Sequence, residues 1–583
     1  MHSTPNYNLA PAFPVSGKVF TGWNRILQEL NSRIKNCKNN RYILIVECYQ
    51  GVHHDELRNA FQLLNPALFI ESDHAFYPED KIREITFPDV TTDAVFGYMT
   101  SLTYHELLDP EKVGQLRAYI SNATGLVVVY GHAASLIAEN YDCLVYADMA
   151  RWEIQLRQRN HEINNLGISN AGEAPGIQYK RGFFVDWRIC DRLKQQLFEK
   201  ADYWLDTNHQ HSPKMMPAAE MLNGLDAISQ SPFRVVPYFD PGPWGGQWMK
   251  HVFGLDESKS NYAWSFDGVP EENSLLLDVD GVTFEIPAIN LVFYRSTELL
   301  GKPVEERFGK EFPIRFDLLD TMGGGNLSFQ VHPTKAYIKE KFGMAYTQDE
   351  SYYLLDAKPG AMVYLGLKTG IDTREMIADL RQAQETGCAF AADKYVNAFP
   401  ARKHDHFLIP NGTVHCSGAN SMVLEISATP YIFTFKMYDW GRLGLDGQPR
   451  AINIDHAVNV IDDNRDTQFC LSELVNQVEL LAEGDGWREE RTGLHRTEFI
   501  ETRRHWFTKT VTHHTGSSVN VLNLVQGREA IVESPVDAFN PFIVHYAETF
   551  IVPARVGTYT IRPYGESEGA ECATLKAYVR TEQ

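Results

Sequence analysis

Short apolar runs alternate with amphipathic segments in the N-terminal part of the chain. RYILIVE at 41–47 and GLVVVYG at 125–131 are rich in β-branched residues, and YDCLVYADMA at 141–150 is a third run. The segments that follow the first and third runs, HDELRNAFQLL and RWEIQLRQRNHEI, have the apolar spacing of amphipathic helices. Buried strands that alternate with helices are typical of a parallel α/β layer. We therefore predict a three-layer α/β domain over residues 1–225.

The pattern changes from about residue 233 onward. PYFDPGPWGGQW is dense in Pro, Gly and Trp, and the strands after it are short and separated by turn residues, which is typical of β-sandwiches and barrels. DTREMIADLRQAQ interrupts this pattern and predicts a helical insertion at about 371–400. We expect an all-β domain over 233–470 and a second β-rich unit over 471–583.

Composition narrows the classes of function. A chain of 583 residues exceeds one ordinary core, and its net charge of −21, without a clustered Lys/Arg face, argues against a nucleic-acid partner. The eight scattered cysteines form no CxxC pair, so we expect free thiols. Without an evident signal peptide or a long apolar stretch, we expect a cytoplasmic protein with no membrane partner. The sequence leaves homo-oligomerisation open.

Polar residues alternate with apolar ones in NLSFQVHP at 326–333. A strand there would place Ser328, Gln330 and His332 on one face, and Pro333 would end it. Glu350 begins ESYYLLD, and His415 follows the turn residues of IPNG. The set Gln330, His332, Glu350 and His415 suits Zn²⁺ or another first-row divalent ion, although spacing alone does not choose the metal. The alternative is that Gln330 and His332 pair with the backbone inside a sandwich.

The same segments carry a resemblance to a known family. LSFQVHP, DESYYLLDAKPGAMVYLGLKTG, IPNGTVHCSG and MYDWGR resemble, in order, signatures of the class I mannose-6-phosphate isomerases of the short bacterial type. GPWGGQWM at 242–249, YAWSF at 262–266 and LDGQPRAINIDHAVNVID at 445–462 extend the likeness to roughly 235–583. The resemblance implies double-stranded β-helix cupin domains: a catalytic cupin at 233–470 and a second, metal-free cupin half at 471–583.

The resemblance also implies roles for individual residues. Gln330, His332, Glu350 and His415 would be ligands of one Zn²⁺ per chain. Arg442 would be the catalytic arginine near the reacting or phosphate end of a sugar phosphate, with a structural pair to Asp439 as the alternative. Ser328 would line the substrate pocket, with a plain strand hydroxyl as the alternative.

One departure from the family concerns proton transfer. Many members carry Lys two residues before the metal-binding Glu, whereas this chain has Gln348, which cannot act as a cation or shuttle protons. Lys335 is a candidate substitute for substrate binding, with a surface lysine as the alternative. His404 and His406, which we expect to share a strand face, are further candidate bases, with ordinary surface or core-edge histidines as the alternative. The resemblance therefore implies isomerisation of mannose 6-phosphate and fructose 6-phosphate, and Gln348 keeps open a sugar-phosphate sensor with lost or altered activity.

The strand and helix order of the first domain resembles P-loop nucleoside-kinase-like proteins. Its phosphate loop is missing, because CYQGVHHDEL after the first strand has neither the second glycine nor the Lys-Ser/Thr of a Walker A element. We expect a degenerate kinase-like domain for regulation, assembly or weak ligand binding. Arg151, Arg157 and Arg159 either bind an anion or form a solvated helix face.

Overall fold

The computed structural model describes residues 5–430, 432–445, 447 and 450–581. Contacts divide the chain into an N-terminal unit, residues 12–228 and 274–294, and a C-terminal unit, residues 1–11, 229–273 and 295–583. Residues 274–294, which we expected in the second domain, thus belong to the N-terminal unit. The predicted boundary at 470 stays a prediction, and three residues of the quoted segment 445–462, at 446, 448 and 449, lie outside the described residues.

The N-terminal unit contains a seven-stranded sheet. Its order across the sheet is Phe20–Thr21, Lys214–Pro217, Tyr203–Asp206, Cys143–Asp148, Arg41–Cys48, Gly125–Gly131 and Leu68–Glu71. The last five strands in that order are parallel, and the first two are antiparallel additions. Residues 42–48 are all buried, as expected for a parallel strand that is covered on both faces. The predicted parallel α/β layer is therefore present, while the kinase-like interpretation stays a prediction.

The same unit has a second, three-stranded sheet and several helices. The small sheet has the order Ala12–Pro14, Ser274–Val279 and Val282–Pro287. The α-helices are Gly22–Asn36, His54–Gln62, Glu79–Val90, Tyr104–Leu107, Pro110–Asn122, Ala134–Ile137, Arg151–Arg159, Pro175–Arg181, Trp187–Leu197, Ala218–Ile228 and Ile289–Tyr294. A 3₁₀ turn covers Ser72–Ala75, and a π-helical turn covers Gly182–Asp186.

The helix Arg151–Arg159 corrects one expectation. The side chain of Arg151 is buried and pairs with Asp191, with its Nη2 2.5 Å from a carboxylate oxygen. Arg157 is also buried and donates to the carbonyls of Gly51 and Thr207 at 2.8 and 2.7 Å. Neither residue lies on a solvated helix face, and the hydrogen bonds of Arg157 fix the chain that follows the first parallel strand.

The C-terminal unit consists of four antiparallel sheets. A six-stranded sheet has the order His406–Ile409, Glu350–Ala357, Ser421–Ala428, Ile314–Asp320, Trp264–Gly268 and Tyr238–Asp240. A five-stranded sheet has the order Val396–Pro400, Met362–Leu367, His415–Ser417, Phe329–Val331 and Phe435–Tyr438. The other two sheets are Glu479–Gly484, Trp487–Gly493, Ile500–Phe507, Cys572–Val579, Asn520–Gln526 and Thr549–Val552, and Val511–His514, Thr558–Pro563, Glu529–Glu533 and Phe542–His545. The expectation of a sheet-rich, multidomain chain is confirmed.

Helices of this unit are short except for the predicted insertion. They are Trp248–Phe253, Ser296–Leu300, Lys302–Phe308, Lys335–Phe342, Thr373–Thr386, Ala392–Tyr395, Ile454–Ala457 and Thr467–Phe469, with a π-helical turn at Cys470–Leu474 and 3₁₀ turns at Ala554–Val556 and Gly565–Ser567. The Asp372 carboxylate accepts from the Arg374 amide at the start of the insertion helix, and Gly387 ends that helix with a φ of 72°.

Two general expectations concern the whole described chain. All eight cysteines, each of them in the described part, are free thiols. Within residues 5–430, 432–445, 447 and 450–581, none of the helices combines the length and the apolar character needed to span a bilayer.

Candidate metal centre

Strand pairing places Gln330 beside His415. The two residues are directly opposite each other in the antiparallel pair of Phe329–Val331 with His415–Ser417, so their side chains leave the same face. Gln330 Nε2 lies 3.2 Å from His415 Nε2. The strand covers only Phe329–Val331, so it ends one residue before His332, whereas the sequence predicted that it would continue to Pro333.

The turn before His415 fixes His332 and Glu350 at the same place. The Gly412 amide donates to the His332 carbonyl at 3.0 Å, and Gly412 has a φ of 81°, which glycine adopts without strain. The side-chain and main-chain nitrogens of Asn411 donate to the Asp349 carboxylate at 2.7 and 2.8 Å. Asp349 precedes Glu350, so this one turn connects the three segments that carry Gln330, His332, Glu350 and His415.

The Glu350 carboxylate lies between the two imidazoles. His332 Nε2 is 3.1 Å from Glu350 Oε2, and His415 Nε2 is 2.7 Å from Glu350 Oε1. All three side chains are buried, with exposed fractions of 0 to 1%. Glu350 belongs to the six-stranded sheet, whereas His415 belongs to the five-stranded sheet. The cluster therefore lies between the two sheets.

Backbone acceptors determine which nitrogen of each imidazole carries the proton. His415 Nδ1 lies 2.8 Å from the Thr413 carbonyl and His332 Nδ1 lies 3.3 Å from the Phe433 carbonyl. A carbonyl only accepts, so each Nδ1 donates, and in the neutral rings both Nε2 atoms present lone pairs to an anionic carboxylate. Glu350 Oε1 and His332 Nε2 also have no hydrogen-bond partner among the described residues. A shared cation satisfies all these atoms, so the cluster fits a divalent metal ion.

The Glu350 carboxylate carries the negative charge that a cation site needs. Burial raises the pKa of the Glu350 carboxyl, but the neighbouring His332 and His415 imidazoles, when they are protonated, lower it more strongly, so its pKa lies well below the usual value. The carboxylate thus stays ionised where positive charge is close. An ion held between the same groups would act in the same direction.

Gln348 supports the cluster in a way that the sequence did not suggest. Its Nε2 donates to Glu350 Oε2 at 3.1 Å, and the side chain is buried. Hydrogen bonds to a ligating carboxylate fix its orientation and tune its affinity for metal. Gln348 is therefore a neutral donor next to the carboxylate. The period-two spacing of Gln348 and Glu350 was the available signal.

The remaining predicted residues are placed differently. Ser328 is buried and donates to Gln330 Oε1 at 3.2 Å, so it adjoins the ligand set. Arg442 donates to the Asn326 carbonyl and pairs with Asp439 at 2.7 Å, so the structural pair named above is present. Lys335 is half-exposed and pairs with Glu498 at 3.3 Å. The catalytic or substrate roles of these three residues stay predictions.

The candidate bases His404 and His406 do not share the face of the cluster. Glu350 and Tyr353 are three residues apart on one strand and therefore point to opposite faces. His406 is paired with Tyr353, and the two rings are 5.6 Å apart. His404 lies outside the strand with a φ of 73° and hydrogen-bonds the Tyr353 hydroxyl at 2.9 Å. The expectation that both histidines share one strand face was wrong, because the strand begins only at His406.

A row of charged residues beside Glu350 was not predicted from the sequence. In the six-stranded sheet Glu350 is opposite Ser427, which is opposite Arg315. Arg315 contacts the carboxylate of Glu425 and lies 2.9 Å from that of Asp317. Burial raises the pKa of Asp317 to about 7, although the Arg315 charge opposes it. Polar residues at alternate positions of the apolar strands IRFDLLD and SMVLEISA were the signal for this polar face.

Comparison with known proteins gives a match to a family model and matches to individual relatives. Residues 22–230 match the model of a domain of unknown function, DUF8485. A mannose-6-phosphate isomerase of Streptococcus mutans is 29% identical over 223 residues, which are 37% of this chain and 64% of that protein. A probable mannose-6-phosphate isomerase of Bacillus subtilis is 28% identical over 232 residues, or 40% of this chain and 68% of that protein. The match thus spans about two thirds of these relatives.

Solved structures give a similar but weaker likeness. The mannose 6-phosphate isomerase of Bacillus subtilis aligns with 60% of this chain and 100% of its own, at 18% identity and a TM-score of 0.47. The structure of a putative mannosephosphate isomerase from Archaeoglobus fulgidus aligns with 60% of this chain and 99% of its own, at 19% identity and a TM-score of 0.45. From the sequence matches, this chain is homologous to mannose-6-phosphate isomerases over about 40% of its length.

Proposed function

We propose that the C-terminal unit is a metal-dependent aldose–ketose isomerase that interconverts mannose 6-phosphate and fructose 6-phosphate. The observation that carries the proposal is the convergence of Gln330, His332, Glu350 and His415 from two sheets. Homology over about 40% of the chain supports the class of reaction. The cupin assignment, the division at 470 with a metal-free second half, and the cytoplasmic location belong to the same proposal.

Zn²⁺ is the proposed ion of this cluster. Two imidazoles, a carboxylate and an amide oxygen are nitrogen and oxygen donors that suit a first-row divalent cation. Gln330 would present its amide oxygen to the ion, because the orientation of a glutamine amide follows from its partners. A divalent ion bound there supplies a Lewis acid for the charge that develops on the substrate carbonyl oxygen.

The reaction moves a proton between C1 and C2 of the sugar through an enediol. The described residues contribute binding and orientation. Arg442 uses three of its five N–H groups on Asn326 and Asp439, and we propose that the others bind the phosphate or the developing anion. Ser328 would hydrogen-bond a sugar hydroxyl, and Lys335 is the less favoured cation because it pairs with Glu498.

The buried polar face of the six-stranded sheet beside Glu350 suits a substrate that is rich in hydroxyl groups. Arg315, Asp317 and Glu425 are on the Glu350 face of the six-stranded sheet and are buried. A buried polar face is costly unless its groups are paired or bind a polar ligand. Because His406 points to the opposite face, we do not assign it the role of the general base.

A coupled assay of the full chain with Zn²⁺ and mannose 6-phosphate tests this proposal. We expect turnover in the wild type, with a loss of about a thousandfold or more in His332→Ala, since the ion and its Lewis acidity are lost together. His251→Ala is the matched control, because His251 is exposed in the same unit. Absence of turnover in the zinc-loaded wild type contradicts the isomerase.

The second candidate is a metal-containing sugar-phosphate sensor, and the observation that favours it is Gln348. Gln348 donates to Glu350 and cannot relay a proton as the family lysine would. Titration calorimetry of zinc-loaded protein with mannose 6-phosphate separates the candidates. Tight binding without turnover supports the sensor, and turnover excludes it as the whole function.

A further inference from the structure

A second cluster of metal-ligating side chains lies in the N-terminal unit. The strands Arg41–Cys48, Gly125–Gly131 and Leu68–Glu71 are adjacent and parallel, so their carboxyl ends meet at one edge of the sheet. Ligands of open α/β sheets bind outside this edge. A cavity of about 580 Å³ lies there, and His54, Asp73 and His132 line it. These residues follow the three strands in turn.

The three side chains approach one another closely. One nitrogen of each imidazole and one oxygen of Asp73 all lie within 4.8 Å of one another. His132 Nδ1 is 3.0 Å from the Asp73 carboxylate, and the two imidazole rings have centroids 4.7 Å apart. Two histidines and a carboxylate are a common ligand set for first-row divalent ions.

The backbone is built for this approach. Gly131 ends its strand with a φ of 123°, and a Cβ there would lie 2.5 Å from Ser72 Oγ and 2.9 Å from Asp73 Oδ1. Ser72 Oγ donates to the carbonyls of Tyr130 and His132 at 3.0 and 2.8 Å, and the His132 amide donates to Asp73 at 2.9 Å. These hydrogen bonds connect the ends of the neighbouring strands Leu68–Glu71 and Gly125–Gly131 and hold Asp73 next to His132.

The loop that carries His54 is fixed from the other side. Arg157 donates to the Gly51 carbonyl at 2.8 Å, and Trp187 Nε1 donates to Gln50 Oε1 at 3.0 Å. Gly51 has a φ of 102°, and a Cβ there would lie 2.7 Å from Ile154 Cγ1. This loop occupies the position where the sequence lacks a Walker A element, and it presents a histidine to the cavity.

Three imidazole nitrogens of the cluster are buried and have no hydrogen-bond partner among the described residues. Neither ring nitrogen of His54 has a hydrogen bond to any described residue, and the same holds for His132 Nε2. A buried polar atom without a partner costs free energy, roughly 1–3 kcal/mol, so it calls for a ligand or a solvent molecule. The two neighbouring imidazoles thus offer nitrogen lone pairs beside a carboxylate.

The charge of the cavity selects a cation. Five carboxylates line it, from Asp55, Glu56, Asp73, Glu79 and Glu162, and its lining, all of it within the described residues, contains neither Lys nor Arg. Such a wall repels a phosphate group and attracts a positive ion. We propose that His54, Asp73 and His132 form a second metal site, which binds a first-row divalent cation and leaves its remaining coordination positions open to the cavity.

Metal content of the full chain tests this proposal with Co²⁺ as the probe. His332→Ala/His415→Ala removes the imidazoles of the C-terminal cluster, and this variant should still bind about one Co²⁺ per chain, with the visible absorption of nitrogen and oxygen ligation. Adding His54→Ala/His132→Ala should lower that content at least tenfold. His74→Ala is the matched control, since His74 is exposed beside Asp73 and should keep the ion.

Two outcomes overturn the proposal: a folded His332→Ala/His415→Ala chain without Co²⁺ at saturation, or an ion that persists after His54 and His132 are replaced. If that variant does not fold, Asp73→Asn in the otherwise wild-type chain replaces it, because it keeps the side-chain volume. Its content should fall by about one ion relative to wild type, and an unchanged content overturns the proposal. Failure of the isomerase is distinguishable, since it leaves the N-terminal ion in place.

Discussion

Each of the two units gathers two imidazoles and one carboxylate from distant segments, but the two clusters are built differently. In the C-terminal unit Gln330 and His415 are cross-strand neighbours in the five-stranded sheet, and Glu350 comes from the six-stranded sheet. In the N-terminal unit His54, Asp73 and His132 follow the carboxyl ends of three parallel strands. The first cluster is enclosed, whereas the second opens to an acidic cavity. Similar donor sets therefore arise from strand register in one unit and from strand direction in the other.

The two clusters also differ in the groups that orient their imidazoles. Both Nδ1 atoms of the C-terminal cluster face backbone carbonyls, which directs each Nε2 to Glu350. In the N-terminal cluster His132 Nδ1 faces Asp73 itself, and His54 has no hydrogen bond to described residues at either nitrogen. The C-terminal site is thus the more preorganised one, and we expect it to bind its ion more tightly.

The largest expected effect comes from removing the C-terminal carboxylate. Glu350→Ala leaves two imidazoles without their anionic partner, so the bound Zn²⁺ and the turnover should both be lost. We expect kcat/KM to fall about a thousandfold or more, on the order of 4 kcal/mol. Glu385→Ala, at an exposed position of the same unit, is the control, and equal losses in both variants would contradict a specific role for Glu350.

A smaller effect is expected from the side chain that orients this carboxylate. Gln348→Leu keeps a similar volume but removes the donor to Glu350 Oε2. Loss of such a bond typically costs about 10–100-fold in metal affinity or activity. Competition with a chelator measures the zinc affinity, and an unchanged affinity would mean that the carboxylate is held by its imidazole neighbours alone.

The loop of the N-terminal cluster offers a third test, now of stability. Gly51→Ala places a methyl group against Ile154 at a positive φ, so the free energy of unfolding should fall by about 1–3 kcal/mol. Gly114→Ala is the matched control: it lies inside the helix Pro110–Asn122 with open space around it, and should stabilise by about 0.5–1 kcal/mol. Urea denaturation measures both, and equal effects would remove the special role of Gly51.

The last effect accumulates gradually with pH and concerns a histidine that belongs to neither cluster. Burial, and then the nearby charge of Arg504, lowers the pKa of His406 from 6.5 to about 3. Since the folded pKa lies below the unfolded one, the unfolded chain binds the extra proton, and stability falls by up to about 1.4 kcal/mol per unit as pH drops from 6.5 toward 3. His406→Phe should reduce this acid dependence by about one proton.

The control for this prediction is His251→Phe, at an exposed histidine of the same unit. Stability is followed by urea denaturation between pH 7 and pH 4.5, and the slopes of the two variants are compared. An identical slope in wild type and His406→Phe would show that His406 is not a source of acid sensitivity.

Parts of the C-terminal site could be predicted because they are local. Alternation in NLSFQVHP places Ser328, Gln330 and His332 on one face, and the turn residues at 410–412 precede His415. The contribution of Gln348 could not be predicted as a hydrogen bond, because its partner is fixed only by the path of the strand that Glu350 begins. Polar and apolar residues alternate in the sequence around Arg315, Asp317 and Glu425. These residues form one polar face only because three strands pair in the sheet.

By itself, the sequence determined where strands and helices form, because apolar periodicity and turn residues act over a few positions. It also indicated that the first parallel strand lacks a phosphate loop. Only the tertiary structure decided that His54, Asp73 and His132 meet, since no local spacing relates them and their proximity follows from the order of parallel strands. The tertiary structure also decided that Arg151 and Arg157 are buried, whereas the sequence left open an anion site or a solvated helix face. Arg151 pairs with Asp191, and Arg157 donates to backbone carbonyls of other segments.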